Sequence, residues 1–260
     1  MKKYLDIMRI DLMTMNGEKN SMLTLFILVF VGSIAGELFL SPMFGFIGMI
    51  MVGGMTVPIV FTSHLKYGSE KIFGLLPVLR KDLVKARFIM FVTLYLAMAL
   101  VMYVFMEVSL ALKISAEITG DFEQLLADSG INIGYGSLCR LLFFVFFAFG
   151  MLAVVSSLKG YFSDPEAYEA LAGVGMKVIK TKPKQLVAPI LIIAASLVFF
   201  MFAFGVIPFS AGFAVILQLL IQLFTAAYGI LFSLVMITLA AFTAIYHYFC
   251  TVLEYEDKDI

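Results

Sequence analysis

The chain has 260 residues, of which 62% are hydrophobic and 14% charged, with mean hydropathy +1.05. A soluble domain of this length is nearer half apolar and a quarter charged, so a water-soluble globule is excluded. Eighteen basic residues balance eighteen acidic ones, and this zero net charge gives no overall field to attract nucleic acid or another polyanion. Apolar residues arrive in runs of about twenty, the length of helix that crosses a ~30 Å hydrocarbon core. The fold class expected is all-α: a polytopic membrane protein in a single transmembrane domain over 1–260.

In chain order, the first element is an amphipathic helix within 1–20. Leu5, Met8, Leu12 and Met15 recur at helical spacing, while Lys2, Lys3, Asp6 and Arg9 lie away from that face. The pattern fits a helix lying in the membrane interface. Asp6, Arg9 and Asp11 interrupt the apolar centre that a signal peptide needs.

Six crossing segments follow, near 21–40, 43–62, 88–111, 138–158, 186–206 and 228–250. Their orientation is read from Lys and Arg, which favour cytoplasmic loops. The N-terminal segment carries Lys2, Lys3, Arg9 and Lys19. The segment 63–87 carries Lys66, Lys71, Arg80, Lys81, Lys85 and Arg87, and the loop 159–185 carries Lys159, Lys177, Lys180, Lys182 and Lys184. The loop 112–137 has Lys113 against Glu117, Asp121, Glu123 and Asp128. These counts put both termini, 63–87 and 159–185 in the cytoplasm and 112–137 outside. In the second cytoplasmic loop, Ser163-Asp164-Pro165-Glu166 is a helix start, with a capping acid and a proline suited to the first helical position. It opens a short helix near 165–173.

From Gln185 to Leu253 there is no Asp, Glu, Lys or Arg. Two crossings use about forty of these residues, and the remainder, 207–227, is too apolar for a free loop. A re-entrant pair of short helices turning near Pro208, Ser210 and Gly212 accounts for it, covered by protein because exposed backbone is not tolerated at that depth. The alternative is a seventh full crossing, which puts the C-terminus outside.

Catalytic signatures are missing: there is no phosphate-binding G-x-x-x-x-G-K-[ST], no H-E-x-x-H and no G-x-S-x-G. Cys139 and Cys250 fall near opposite membrane faces and so cannot pair. His64 and His247 sit at the ends of apolar runs and read as interfacial side chains. Three charged residues interrupt the apolar runs, Glu37, Glu107 and Arg140, and each falls in the outer part of its span. Burying a charge at the bilayer centre costs about 2.5–3.5 kcal/mol on insertion scales, so such residues pair, line a cavity or sit at an interface. An ion pair of Arg140 with Glu107 or Glu37 is one reading, and interfacial snorkelling is the other. Gln218 and Gln222 lie four apart on one helical face, as interhelical glue or as the lining of a conduit. The 27 Phe and 17 Met suit variable apolar cargo, because Met adapts its shape, and they suit lipid-facing packing equally.

The stretch Tyr67–Arg87 is split by Pro77 into two helical pieces, one from about His64 to Leu75 and one from about Arg80 into the third span. A short helix presenting Ile72, Phe73, Leu75 and Leu76 among charges suits a groove on a soluble partner. Glu70, then Leu76-Pro77-Val78, Arg80-Lys81, Val84 and Arg87 at the mouth of a span resemble the permease subunits of bacterial type-2 ABC exporters. That family often carries an acidic residue and then Leu-Pro-Val/Ile-Ser-Arg-Lys after its second span. Leu79 departs from this pattern, because Ser or Thr there caps the following helix. The likeness covers about twenty residues as motif and most of the chain as architecture.

The resemblance implies a permease, homodimeric or heterodimeric, in the bacterial plasma membrane, bound to a cytoplasmic ABC ATPase that holds the ATP and Mg; this chain needs no cofactor of its own and is not an enzyme. It implies a coupling helix between the second and third spans, with Tyr67, Glu70, Lys71, Phe73 and Arg80 at the contact. The chain is also similar to small permeases that export amphipathic peptide toxins such as phenol-soluble modulins, so hydrophobic or amphipathic cargo is expected. An ion-coupled carrier and a non-transporting membrane subunit are the competing classes. Only a carrier works without ATP, and only a structural subunit moves nothing with any partner.

Overall fold

A computed structural model describes residues 2–15, 21–67, 79–113, 124, 134–163 and 229–256. Its elements are α1 (Lys2–Met15), α2 (Ser21–Phe39), α3 (Met43–Tyr67), α4 (Arg80–Leu112), α5 (Tyr135–Ser163) and α6 (Gly229–Glu256). All of the described elements are helices. Among the described residues α4, α5 and α6 are long and apolar enough to cross a membrane, and α2 and α3 contain shorter apolar stretches, Leu23–Phe39 and Phe44–Pro58. The expected crossing at 186–206, the re-entrant element at 207–227 and the short helix at 165–173 lie outside the described residues.

The helix ends follow local chemistry. Between α2 and α3 the Leu40 and Ser41 amides both donate to the Gly36 carbonyl at 2.9 Å, and Phe44 and Gly45 then bond back to Ser41 and Pro42. Pro42 has no amide to satisfy, which suits a helix start. Lys113 ends α4 in the left-handed conformation (φ 50°, ψ 36°), its amide reaching the Leu110 carbonyl. At the start of α5, the Ser137 and Leu138 amides bond to the Gly134 carbonyl. The helices overrun the expected spans: α3 continues to Tyr67, α4 begins at Arg80 and α5 continues to Ser163. Hydropathy marks only the part of a helix that lies in hydrocarbon, and the backbone bonds continue beyond it.

α5 packs most extensively on α6 and α3, while α4 touches every other described helix. The α3–α5 crossing depends on two glycines. A Cβ on Gly53 would lie 2.7 Å from the Gly150 carbonyl oxygen, and one on Gly150 would lie 2.0 Å from the Tyr95 hydroxyl and 3.0 Å from the Met49 carbonyl. Small residues let membrane helices bring their backbones together. The Tyr95 hydroxyl, which occupies the space beside Gly150, donates to the Phe147 carbonyl at 2.9 Å, so a polar group in the core is satisfied.

Ring contacts fix the directions of the helices. Tyr95 meets Phe147 and Tyr103 meets Phe143, so α4 and α5 are antiparallel. Phe88 meets Tyr248 and Arg80 meets Tyr255, so α4 and α6 are antiparallel as well. α5 and α6 therefore run the same way, with Lys159 and Glu254 paired at 2.8 Å near their C-terminal ends. One end of the bundle gathers α1, the last turns of α3, α5 and α6 and the first turns of α4. We refer to it as the α1 end.

α1 buries a further face, beside the apolar one expected to meet the membrane. Ile7 and Asp11 are buried and Tyr4 and Met8 are half-buried, whereas Leu5 is exposed. Residues 4, 7, 8 and 11 share one helical face, and that face packs on α3 and α4.

Candidate functional site at the base of α4

The first turn of α4 starts without the side-chain cap that the expected motif supplies. Leu79 has extended backbone (φ −64°, ψ 139°) and makes no side-chain cap bond. Its carbonyl nevertheless accepts from the Asp82 and Leu83 amides at 2.9 and 3.2 Å. Asp82 adds an acid to the first turn, where the helix dipole favours negative charge. The doubt raised by Leu79 is thus resolved by backbone geometry, and the helix begins where the pattern places it.

Two turns further on, Arg87 is 2% exposed and Asp11 of α1 is 0% exposed. Arg87 Nε donates to Asp11 Oδ2 at 3.3 Å and Nη2 to Oδ1 at 3.4 Å, a fork on a fork. These distances are longer than the ~2.7–2.9 Å of a tight charge-assisted bond. The guanidinium also faces aromatic rings, with its carbon 4.8 Å from the Phe61 centroid, 5.6 Å from Tyr161 and 5.8 Å from Phe162. Ring faces attract a cation, more strongly when water is excluded. Phe61 and Tyr161 stack on each other with centroids 3.5 Å apart. Arg87 therefore joins α1, α3, α4 and α5 at one point.

Around this centre the base of α4 is held on two sides. Toward α1, the Tyr4 hydroxyl donates to Asp82 Oδ1 at 3.1 Å, Lys85 Nζ lies 5.6 Å from the Tyr4 ring centroid, and Ile7, Leu83 and Ala86 form a small apolar cluster. Toward α6, the Arg80 guanidinium lies 5.9 Å from the Tyr255 ring centroid, and Tyr255 packs edge-on against Phe162. Glu254 closes the rim, accepting from Ser163 Oγ at 2.7 Å while it pairs with Lys159.

The opposite end carries a different set of polar groups. Arg140 donates to Glu107 through Nε at 2.7 Å and Nη2 at 2.8 Å, and the two side chains are 50% and 31% exposed. Of the two acids considered as partners for Arg140, the geometry selects Glu107. Glu37 is fully buried instead, and among the described residues no donor reaches either of its carboxylate oxygens. Its side chain occupies the space over Gly45, where a Cβ would overlap Oε1, and its backbone carbonyl accepts from Ser109 Oγ at 2.7 Å. Ser41 and Tyr135 share a hydroxyl bond nearby at 3.1 Å.

Of the contact residues implied by the motif, Arg80 is placed at the α4 base and Tyr67 is the last residue of α3. The side chain of Tyr67, together with Glu70, Lys71, Phe73, Gln218 and Gln222, lies outside the described residues. Among the described residues no three His, Cys, Asp or Glu side chains converge on a point where a metal could bind. Cys139 is buried beside Arg140, and Cys250 lies one turn before Glu254, at the other end. Reasoning from sequence missed Asp11, Arg87 and their rings as one site. The available signal was an acid on the Tyr4–Ile7–Asp11 face of α1, and an arginine closing the charged segment before the uncharged run from Phe88 to Met106.

The family described as ABC-2 family transporter protein matches residues 8–158, more than half of the chain, from within α1 almost to the end of α5. No curated protein and no solved structure matches the chain at a significant level. The matched region contains α2, α3 and α4 entire, together with Asp11, Arg87, Glu107 and Arg140, and on this evidence the chain belongs to the ABC-2 family of transporter proteins, as a membrane-embedded permease subunit.

Proposed function

We propose that this chain is the permease of an ATP-driven exporter in a bacterial plasma membrane. A separate cytoplasmic ATPase receives the coupling segment between α3 and α4 in a cleft. The observation that carries this reading is the family match over 8–158, which contains the whole coupling segment. Tyr67, Glu70, Lys71, Phe73 and Arg80 make the contact, and ATP and Mg stay with the partner. Closure of the ATPase dimer pushes the segment, and two permease copies pass between inward- and outward-open states. The α4 base supports the reading: a push delivered at Arg80 enters a helix already joined to α1, α3, α5 and α6.

The cytoplasmic side is the α1 end. In support, α1 and the helix ends next to the three basic segments of the sequence gather there. The six-crossing scheme, with 207–227 re-entrant from the outer face, agrees with the parallel run of α5 and α6. A cysteine at Ser210 labelled by an impermeant reagent from outside supports the scheme, and labelling only from inside overturns it.

Cargo is hydrophobic or amphipathic, with an amphipathic peptide as the leading class, supported by the Phe- and Met-rich helices. The main test is purification from the native membrane. A bound ATPase is expected, and Glu70→Lys or Phe73→Ala should release it. Retention of the ATPase with undiminished ATP-driven transport in both variants overturns the assignment of the contact. Transport that runs on an ion gradient without ATP overturns the exporter reading.

A further inference from the structure

We infer that Asp11 and Arg87 are positioning residues that carry motion from the coupling segment into α1, so that α1 and the base of α4 move as one body. The inference rests on the permease reading above and adds to it a transmission path.

The argument starts from what holds α1 in place. Ile7, Leu83, Ala86 and Tyr4 already supply an apolar contact between α1 and α4. A buried ion pair is a poor means of adding stability to such a contact, because removing two charges from water offsets most of their attraction. What it adds is geometry. A planar guanidinium engaging both carboxylate oxygens resists sliding and rotation in a way that apolar side chains do not. Arg87 lies about two turns into α4, close to where a push on the coupling segment enters the helix.

The ring cage settles which helices share the load. Phe61 comes from α3, on the other side of the coupling segment, and Tyr161 and Phe162 come from α5. A displacement of Arg87 therefore acts on Asp11 through charge and on α3 and α5 through ring faces. Removing either charge takes away the two-point contact, and only the apolar packing of Ile7 on Leu83 and Ala86 then holds α1 to α4.

The experiment uses the full permease purified with its ATPase in lipid nanodiscs. Spin labels are placed on Leu5→Cys in α1 and Leu79→Cys at the start of α4, both exposed positions, with Cys250→Ser to remove a competing thiol. Pulsed electron resonance reads the distance with and without ATP plus vanadate. With labelled chain diluted into unlabelled chain so that only distances within one copy are read, the wild-type background is expected to give one unchanged, narrow distance in both states. Asp11→Asn is expected to add a longer population in the vanadate-trapped state. Ile7→Ala, which thins the packing on the same face and keeps the pair, is expected to remain narrow.

An Asp11→Asn distance as narrow as wild type after trapping overturns the inference, as does separation of the labels in the wild-type background. If Asp11→Asn does not accumulate, Arg87→Gln, which removes the pair from the other side, is read by the same criteria. Absence of an ATPase from the purified wild type overturns the permease reading alone. In that case the nucleotide-free distances still decide whether the pair holds α1, through broadening or its absence in Asp11→Asn.

Discussion

Two arginine–carboxylate pairs sit at opposite ends of α4, and they are built on different physics. Arg87–Asp11 is sealed from solvent, has long N–O distances and is faced by three aromatic rings. Glu107–Arg140 is half open, with short bidentate bonds. From Arg87 to Glu107 is about twenty residues, or ~30 Å of helix at ~1.5 Å per residue, close to the thickness of a hydrocarbon core. The residues between them, Phe88 to Met106, carry no charge. α4 thus places one charged residue at each edge of the membrane and partners both. The exposed pair ties α4 to its neighbour α5, whereas the buried pair ties it to α1, which lies three helices earlier in the chain.

The largest effect expected from breaking this contrast is at the buried pair. Arg87→Ala should lose about 3–5 kcal/mol, because it breaks a buried ion pair, and thermal unfolding of the purified permease reads the loss. Replacing both residues with apolar ones of similar size (Asp11→Leu with Arg87→Met) should recover most of it, and no recovery would show that the single-variant loss came from packing. Next is Glu37, a buried carboxylate with no described donor. Glu37→Met should stabilise by about 1–3 kcal/mol, the usual penalty of an unsatisfied buried polar group, measured as a rise in melting temperature. An equal fall would mean that Glu37 has a partner or a role that these contacts do not show.

Smaller effects sharpen the comparison. Leu79→Ser should stabilise the start of α4 by about 0.5–1 kcal/mol, since a hydroxyl at the helix cap can accept from a first-turn amide, again read by thermal unfolding. At the exposed pair, a double-mutant cycle of Glu107→Gln and Arg140→Gln should give a coupling of about 0.2–1 kcal/mol. That coupling should shrink in high salt, because exposed charges are screened, while the loss in Arg87→Ala stays nearly constant. A salt-insensitive Glu107–Arg140 coupling would show that the rim pair is shielded by lipid or by a second chain.

The reach of sequence reasoning follows the same divide. Glu107 and Arg140 stood out because a charge inside an apolar run is conspicuous, and because one loop joins the two antiparallel helices that bring them together. The start of α4 at Arg80 was legible from the Pro77 break and the charges beyond it, although Leu79 lacks the capping hydroxyl. Asp11 was not legible as a buried residue. A pattern reading sends acids to the polar face, and only an arginine far along the chain makes that acid admissible inside.

The sequence by itself determined the class of molecule, an all-helical membrane protein with long apolar helices, because burying uncompensated charge and open backbone in lipid is costly. Its motif between Glu70 and Arg87 also pointed to the ABC-2 family before any fold was known. Only the tertiary structure decided that α5 and α6 run the same way, that Gly53 and Gly150 bring α3 and α5 into backbone contact, and that Asp11 meets Arg87. Each of these depends on which helices become neighbours, and the helical repeat of a single segment contains no information about the segment that will face it.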